Sequence, residues 1–489
     1  MTIWVDIEDL LAHFYAASRP SGIQRLSYEV YRALARQAEQ GEAVKFVRHR
    51  PNGSDLEEVF WPDIEARVEL AFSQQNETTM IDGPVDQDMP APVRAMAPPS
   101  RLRAWGRNLP MDLRAPLAGL VNAERAALAA QRDAMRAAGD LLRGLRRWAG
   151  LGGSGALGTV ASVPMPASST DHAGSAVKPE PGDVFLALGA SWQGGYYPAL
   201  VESLKRRFGV RFAFMVYDLI PILWPEFVMA RIREPYRAWL TPMLRAADIV
   251  FTISEATTND VLAFAAQAGI RVPATQIVPI GVTFPERTSQ PAPVSRPYVL
   301  MVSTIEIRKN HALIFKVWRR LMAQLPAEQV PTLVFAGRIG WQTADLLAQI
   351  ENTNHLDGLL RVIEAPSDQE LAALYQNCLF TVFPSFYEGW GLPVTESLSF
   401  GKTVAAAHCA SIPEAGGAFC DYFDPDNLHD AYRVIARLIT DPDHRRNLEQ
   451  RIEREFRPPS WADSAVAILS TLRPTPMPVE AARPLLVAE

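Results

Sequence analysis

Short apolar runs alternate with longer amphipathic segments through much of the chain from position 183 onward. The apolar runs predict strands, and segments with apolar residues three and four positions apart predict helices. The predicted strands cover residues 183–189, 211–219, 248–254, 298–304, 332–337, 359–365, 378–383 and 403–407. Strands of this kind, alternating with helices, indicate parallel sheets that are covered by helices on both faces.

A proline-rich segment interrupts this alternation at residues 289–297, SQPAPVSRP. Three prolines without an apolar period are typical of a linker between domains. We therefore expect an N-terminal domain at 1–290 and a C-terminal domain at 296–456. A further helix and a tail at 457–489 follow them. Both domains are predicted to be α/β, of the Rossmann-like, doubly wound type.

Residues from about 74 to 181 do not follow the strand and helix pattern. Low-complexity stretches rich in Pro, Ser, Gly and Ala flank an Ala- and Arg-rich helical segment at 122–151. A compact domain needs no loop of this length, so we interpret the region as an insertion in the N-terminal domain. Three arginines beside Trp148 leave two alternatives open, packing on the parent domain and contact with an anionic membrane. Packing is the favoured one.

Composition and charge argue against several classes of protein. The 489 residues carry a net charge of −6, which argues against nucleic-acid binding, and the three cysteines form no CxxC pair. The first residues lack the basic and apolar regions of a signal peptide, and no run of about 18 apolar residues occurs. We expect a cytoplasmic protein, with peripheral attachment at the inner face of the cytoplasmic membrane left open.

The segment PSFYEGWGLPVTE, residues 384–396, follows a buried strand and leads into a predicted helix. Ligands of open α/β sheets bind at the carboxyl ends of strands, and a helix N-terminus there favours an anion. Gly389 and Gly391 allow close approach of the backbone. Glu396 is predicted in the first helical turn, facing the crevice, and Glu388 in the loop. Taken alone, this pattern favours a structural interpretation, in which Glu396 interacts with the helix dipole and Glu388 is a solvated loop acid.

Two other loops of the same predicted sheet add positive charge. Arg308 and Lys309 follow the first strand of the C-terminal domain, and Arg338 follows the next one. Such cations bind phosphate oxygens and stabilise a departing diphosphate. Together with the glycines and glutamates, these loops indicate a nucleotide-diphosphate site.

Five motifs, in this order along the chain, resemble those of the GT-B glycosyltransferases of family 4, the group 1 type. They are RPSGIQR at 19–25, VYDLIPI at 216–222, TISEATTNDV at 252–261, STIEIRKN at 303–310 and PSFYEGWGLP at 384–393. The similarity covers roughly residues 1–70 and 183–470, and leaves the insertion out. It implies the GT-B architecture, in which two Rossmann-like domains with parallel sheets face each other across a cleft.

The resemblance also implies roles for particular residues. Glu388 and Glu396 match the E-x7-E pair, which contacts the donor sugar and the nucleotide ribose, and Arg308 and Lys309 match the phosphate-binding pair. Where many relatives have His-Asp this chain has Tyr217-Asp218, so Asp218 becomes the catalytic candidate. The remaining donor-side residues implied are Gly389, Gly391, Leu392, Arg338, Gly22 and Thr304, and the acceptor-side ones are Gln24, Arg25 and Tyr217.

The activity that the resemblance implies is retaining, metal-independent hexosyl transfer, without a cofactor and with a nucleotide-diphosphate sugar as co-substrate. The acceptor expected is a glycan or a lipid-linked saccharide of bacterial surface polysaccharide biosynthesis, such as lipopolysaccharide or exopolysaccharide, and the donor first expected is of mannose type. Two alternatives stay open: a nucleotide-sugar epimerase or phosphorylase of the same architecture, and a non-catalytic glycan-binding subunit.

Overall fold

The N-terminal half of the chain builds a seven-stranded sheet in the order β3-β2-β1-β4-β5-β6-β7. The computed structural model describes residues 1–16, 22–50, 55–77, 177–193, 195–283 and 287–473. The strands are β1 Ile3–Asp6, β2 Val44–His49, β3 Leu56–Val59, β4 Val184–Ala187, β5 Arg211–Val216, β6 Ile249–Thr252 and β7 Ala274–Ile277. All neighbours pair in parallel except β2 and β3.

Helices cover both faces of this first sheet. They are α1 Glu8–Ala16, α2 Gly22–Glu39, α3 Trp61–Glu77, α4 Tyr197–Phe208, α5 Ala230–Ala246 and α6 Glu255–Gln267. Apolar residues of α1 to α3 form one core with the sheet, and those of α4 to α6 form a second core on its other face. Strands buried from both sides explain why β1, β4 and β6 are apolar throughout most of their length.

The C-terminal half builds a six-stranded sheet in the order β10-β9-β8-β11-β12-β13, and all its pairs are parallel. Its strands are β8 Tyr298–Val302, β9 Thr332–Ala336, β10 Leu360–Ile363, β11 Thr381–Phe383, β12 Val404–Ala407 and β13 Cys420–Phe423. Its helices are α7 His311–Gln324, α8 Ala344–Asn352, α9 Asp368–Asn377, α10 Leu392–Ser399, α11 Ile412–Gly416, α12 Leu428–Thr440 and α13 Pro442–Glu455.

A final helix, α14 Trp461–Leu472, leaves the second sheet and packs in the core of the first. Ile468 and Leu472 are fully buried there. The hydroxyl of Ser464 donates to the carbonyl oxygen of Pro279 at 2.5 Å. A Cβ atom on Gly281 would lie 2.5 Å from the ring of Trp461, so the helix start needs a glycine opposite it. The N-terminal domain therefore includes a helix from the far end of the chain.

Two doubly wound α/β domains confirm the predicted fold class, and their contacts across the strand ends agree with the GT-B arrangement. The differences are that strands β1, β2 and β3 of the first sheet and the half-polar strands β7 and β13 escaped prediction, and that β3 is antiparallel. Residues 428–456 have a helical pattern throughout but form two helices, because Pro442 starts a new one after Asp441.

Most of the predicted insertion lies outside the described residues, including its helical segment at 122–151 and the arginines beside Trp148. Its described parts are the end of α3 and residues 177–181. Within the part of the chain that the structure describes, no helix is long and apolar enough to cross a bilayer.

Candidate functional site

The candidate site lies at the carboxyl ends of β8 and β11, which are neighbours in the second sheet. From β8 the chain continues to β9 on one side, and from β11 to β12 on the other. The loops that follow the two strands therefore diverge and leave a crevice between them, the usual ligand position in such sheets. These are loop 303–310 after β8 and loop 384–391 after β11.

Backbone and amide hydrogen bonds join the two loops. The N–H of Phe386 donates to the carbonyl oxygen of Arg308 at 3.0 Å. The buried amide of Asn310 donates to the carbonyl oxygens of Pro384 at 3.2 Å and Pro425 at 3.0 Å. Asn310 has φ 58°, a left-handed conformation that asparagine tolerates better than most residues. The crevice is thus rigid on the side where its charged residues lie.

Glu388 pairs with both cations of loop 303–310. Its carboxylate oxygens lie 2.5 Å from Lys309 Nζ and 2.7 Å from Arg308 Nη1. Arg308 also pairs with the buried Glu306 at 2.9 Å and donates to the carbonyl oxygen of Tyr387 at 2.7 Å. Burial alone would raise the pKa of Glu388, but the two cations outweigh it and lower the pKa to about 2. The carboxylate is therefore ionised throughout the physiological range.

The two cations respond differently to the same surroundings. Burial lowers the pKa of Lys309, and the neighbouring Arg308 lowers it further, which outweighs the acidic partners. The pKa of Arg308 is raised, because Glu388 and Glu306 outweigh the effect of burial. An additional anion at this place would therefore stabilise the charged form of Lys309.

The first domain contributes Asp218 to the same place. Burial raises the pKa of Asp218, while Arg308 opposes this effect and Glu388 adds to it. A Cβ atom on Gly389 would lie 2.2 Å from the carbonyl oxygen of Tyr217 and 3.2 Å from Asp218 Cβ. Loop 384–391 therefore lies directly against the end of β5, and the domains are closed on one another here.

Tyr217 presents only its backbone at this contact. Its side chain is buried in the core of the first domain, and its hydroxyl donates to the carbonyl oxygen of Leu188. Gln24 is buried as well, whereas Gly22 is exposed at the start of α2. Arg25, also predicted on the acceptor side, forms an ion pair of 3.2 Å with Asp368 of the second domain.

Glu396 lies apart from the Glu388 cluster, and its predicted position in the first helical turn is wrong. The positive φ of Gly391, 118°, makes this glycine the residue that precedes α10, so no acidic residue falls in the first turn. The hydroxyl of Tyr375 donates to Glu396 Oε2 at 2.8 Å. Burial raises the pKa of Glu396, although nearby Arg25 lowers it. Glu396 thus faces the neighbourhood of α9 and Arg25.

Three other predicted donor-side residues lie in the loops after β8 and β9 and at the start of α10. Arg338 is exposed in the loop after β9, where its carbonyl oxygen accepts from the N–H of Ile305 at 2.7 Å. Thr304 lies close to this loop, since a Cβ on Gly340 would be 2.8 Å from its methyl group. Leu392 packs against the core of the first domain.

Sequence reasoning did not predict the contacts of several residues that hold the site together. Glu306 shares Arg308 with Glu388, and a glutamate two positions before a phosphate-type arginine was a readable signal. Tyr387 and Glu414 contact the first domain, as described below. The partner of Tyr387 is 127 positions away along the chain, and those of Glu414 are 158 and 159 positions away, so no local pattern could identify these contacts.

The arrangement can bind a polyanion by exchange of partners. A buried cation pair, an internal carboxylate that can be displaced from it, and the N-terminus of α10 lie around one crevice. Anionic oxygens that replaced Glu388 would receive charge-assisted hydrogen bonds, and Glu388 would be free to accept hydrogen bonds from a polar molecule beside them.

The chain is similar in sequence to glycosyltransferases. Residues 283–455 match the family model described as Glycosyl transferases group 1. The serotype-specific mannosyltransferase WbdA of Escherichia coli is 27% identical over 260 residues, which are 51% of this chain and 32% of WbdA. The O-antigen chain mannosyltransferase B of Escherichia coli is 25% identical over 231 residues, 46% of this chain and 55% of that protein. The matches thus span about a third and about half of these two relatives.

Among solved structures, the sucrose-phosphate synthase of Thermosynechococcus elongatus matches with a TM-score of 0.45 and 19% sequence identity. The match covers 60% of this chain and 72% of that one. The C-terminal domain, which holds the charged loops, is the part of the chain that resembles the group 1 family.

Proposed function

We propose that the protein is a retaining glycosyltransferase of family 4, which moves a sugar from a nucleotide-diphosphate sugar to a glycan or lipid-linked acceptor. The observation that carries the proposal is the bridging of Arg308 and Lys309 by the buried Glu388 at the switch point of the second sheet. A hydrolytic or purely structural acid has no need of two buried cations beside a helix N-terminus. A site for a diphosphate next to a sugar needs the two cations, the helix N-terminus and an acid beside them.

Donor binding would proceed by exchange of ion pairs. The diphosphate takes over Arg308 and Lys309 from Glu388, and the N-terminus of α10 adds its backbone N–H groups. The negative charge that develops on the leaving diphosphate then meets donors that are already in place, which is the main source of stabilisation in such transfers. Burial keeps water away from these pairs and strengthens them.

Glu388 would then orient the sugar. Its ionised carboxylate accepts hydrogen bonds from two sugar hydroxyls and fixes the reacting carbon relative to the acceptor. Asp218 approaches from the first domain, beside the same cluster. The proton of the attacking hydroxyl passes to the leaving phosphate on the same face of the sugar, so the configuration is retained and neither a metal nor another cofactor is needed.

Two relatives support the choice of substrate class. Both WbdA and the O-antigen chain mannosyltransferase B carry mannosyl transfer in their names, and the second also names the O-antigen chain. We therefore propose a mannose-type donor and a role in bacterial surface polysaccharide biosynthesis at the inner face of the cytoplasmic membrane. Glu396, with one oxygen held by Tyr375, would bind the ribose of the nucleotide.

The first experiment measures thermal stabilisation of the protein by GDP, UDP and dTDP, because a ligand of the folded state raises Tm. Transfer from the sugar nucleotide of the stabilising base is then measured with EDTA present, and the anomeric configuration of the product is read by NMR. We expect stabilisation by one base, turnover in EDTA and a retained anomer. No stabilisation by any of the three together with no transfer would contradict the proposal, and an inverted anomer would contradict its mechanism.

A further inference from the structure

Two segments of the second domain, loop 384–391 and helix α11, contact a single helix of the first domain, α6. The hydroxyl of Tyr387 donates to Asp260 Oδ2 at 2.6 Å. The carboxylate of Glu414, in α11, accepts from the backbone N–H groups of Glu255 at 2.7 Å and Ala256 at 3.0 Å. Asp260 lies one helical turn after Ala256, so both contacts fall on the first two turns of α6.

The start of α6 is completed by the second domain. Ser254 caps the helix from its own chain segment, with its hydroxyl accepting from the N–H of Thr257 at 3.0 Å. The preceding N–H groups of Glu255 and Ala256 have no partner within a helix, and Glu414 supplies one. Its negative charge also lies at the positive end of the helix dipole. The contact of Glu414 is thus favourable only when the two domains are together.

Loop 384–391 and the start of α11 are also hydrogen-bonded to each other at Glu388. The buried hydroxyl of Ser411 is 2.8 Å from the carbonyl oxygen of Glu388 and 2.9 Å from that of Trp390. Ser411 immediately precedes the helix that contains Glu414, and Tyr387 immediately precedes Glu388. The backbone of Glu388 is therefore held between two contacts with α6.

Aromatic packing supports the same closed arrangement. The ring of Phe386 stacks on Phe227 with centroids 5.3 Å apart, and Tyr387 lies 5.5 Å from Trp224. The indole N–H of Trp341 donates to the carbonyl oxygen of Phe227 at 2.9 Å. Each of these contacts joins the loop after β5 to a loop of the second domain, and so separation of the domains would break them together.

We propose that Tyr387, Asp260 and Glu414 are positioning residues, which seat loop 384–391 on α6 so that Glu388 orients the donor sugar only when the domains are closed. This inference rests on the function proposed above. Asp260 and Tyr387 act through the backbone next to Glu388, and Glu414 acts through Ser411. The donor would bind to the second domain while these contacts are open, and transfer would wait until they form.

The kinetic test uses a double-mutant cycle of Tyr387→Phe and Asp260→Ala. Tyr387→Phe keeps the ring beside Trp224 and removes only the donated hydrogen bond. We expect each single change to lower kcat about tenfold, the loss of one hydrogen bond to a charged acceptor, with the donor KM within about threefold. The double variant should lose no more than either single one, because both remove the same interaction. Asp260→Asn, which still accepts the bond, should recover most of kcat.

Tyr422→Phe is the matched control, since its hydroxyl donates to Gly417 within the second domain. It should leave kcat unchanged. Losses that add in the double variant, or an unchanged kcat in Tyr387→Phe while the wild type turns over, would overturn the inference. A wild type without transfer would instead contradict the proposed function.

Hydrogen exchange tests the contacts without any need for turnover. The amides of Glu255 and Ala256 are protected by Glu414, so Glu414→Ala and Tyr387→Phe should exchange these two amides faster than the wild type does, by about tenfold in each case. Amides of α12, which packs in a core of the second domain, serve as the internal reference. Unchanged exchange at 255 and 256 in both variants would overturn the positioning role, whether or not the protein transfers a sugar.

Discussion

At the scale of single residues, the site depends on how three buried charges share their surroundings. Glu388 alone would be destabilised by burial, and so would Lys309, but the pair with Arg308 reverses the balance for the carboxylate. The free energy of this cluster depends on every member. Removal of one charge leaves a partner without compensation, unless a ligand supplies it.

Glu388→Ala should therefore separate chemistry from nucleotide binding. We expect transfer to fall by at least about a hundredfold, since orientation of the sugar is lost, while the Kd for the nucleoside diphosphate stays within a few-fold. The rise in Tm on adding that diphosphate should be larger than in the wild type, because the phosphates now compensate Arg308 and Lys309. Calorimetric titration and thermal melts measure both. Turnover equal to that of the wild type would contradict the role of Glu388.

Asp9, in the first domain, gives a prediction on pH. Burial, and to a smaller extent Asp6, raises the pKa of Asp9 to about 6, although the N–H of Ala190 donates to it at 2.8 Å. As the pH rises between these two values, Asp9 stays protonated in the folded protein, whereas in the unfolded chain, with its ordinary pKa of 3.8, it is ionised. Below about pH 4 the raised pKa of Asp9 therefore leaves the free energy of unfolding unchanged. Between pH 4 and 6 it lowers the free energy of unfolding by a growing amount, and above pH 6 this loss stays constant.

Asp9→Asn removes that ionisation and keeps an acceptor for Ala190. The difference in Tm, variant minus wild type, should increase between pH 4 and 6 and then level off. Thermal melts at pH 4, 5, 6 and 7 measure it, and Asp63→Asn, at an exposed position, controls for the loss of a carboxylate. A difference that is the same at all four pH values would rule out this account of Asp9.

At the scale of elements, most helices and strands from residue 183 onward could be read from the sequence because their patterns are local, whereas β1 and β2 of the first sheet were not predicted. Residues 368–377 have apolar positions at helical spacing and form α9 with these bounds, where Ser367 and Glu370 make a capping box. The edge strands β3, β7 and β13 could not be read in this way. β7 has exposed alternate residues, and β3 contains two glutamates, since an edge strand has only one neighbour and needs less apolar surface.

The start of α10 shows what one glycine contributes to an element. Gly391 has φ 118°, and a Cβ there would meet its nearest atoms at 3.6 Å, which is ordinary contact. Gly391→Ala should therefore lower the free energy of unfolding by about 1–3 kcal/mol through backbone strain alone. Urea denaturation measures it, with Gly195→Ala, at an open position, as the control. Equal stability of the variant and the wild type would show that α10 tolerates another start.

At the scale of the whole molecule, the sequence predicted which loops meet but could not predict how closely the domains approach. Glu388, Arg308 and Lys309 come together because neighbouring parallel strands end at one edge of the sheet, which is a property of the fold. The contacts of Tyr387 with Asp260 and of Glu414 with α6 depend on the docking of two domains, and nothing local in either segment records it.

Gly389 tests that docking directly. Its Cβ would lie 2.2 Å from the carbonyl oxygen of Tyr217, so Gly389→Ala should hold the domains apart while the second domain stays folded. We expect transfer to fall at least about tenfold, with the stabilisation by nucleoside diphosphate retained. The radius of gyration from small-angle X-ray scattering should increase. An unchanged radius together with full activity would show that the contact yields without separation of the domains.

The course of α14 has a consequence for the order in which the protein folds during synthesis. The N-terminal domain is translated first, yet Ile468, Leu469 and Leu472 complete its core. Until the ribosome has made the whole second domain and then this helix, the core that α1 to α3 form with the first sheet lacks the apolar residues of α14. The last folding step of the N-terminal domain therefore waits for almost the entire chain.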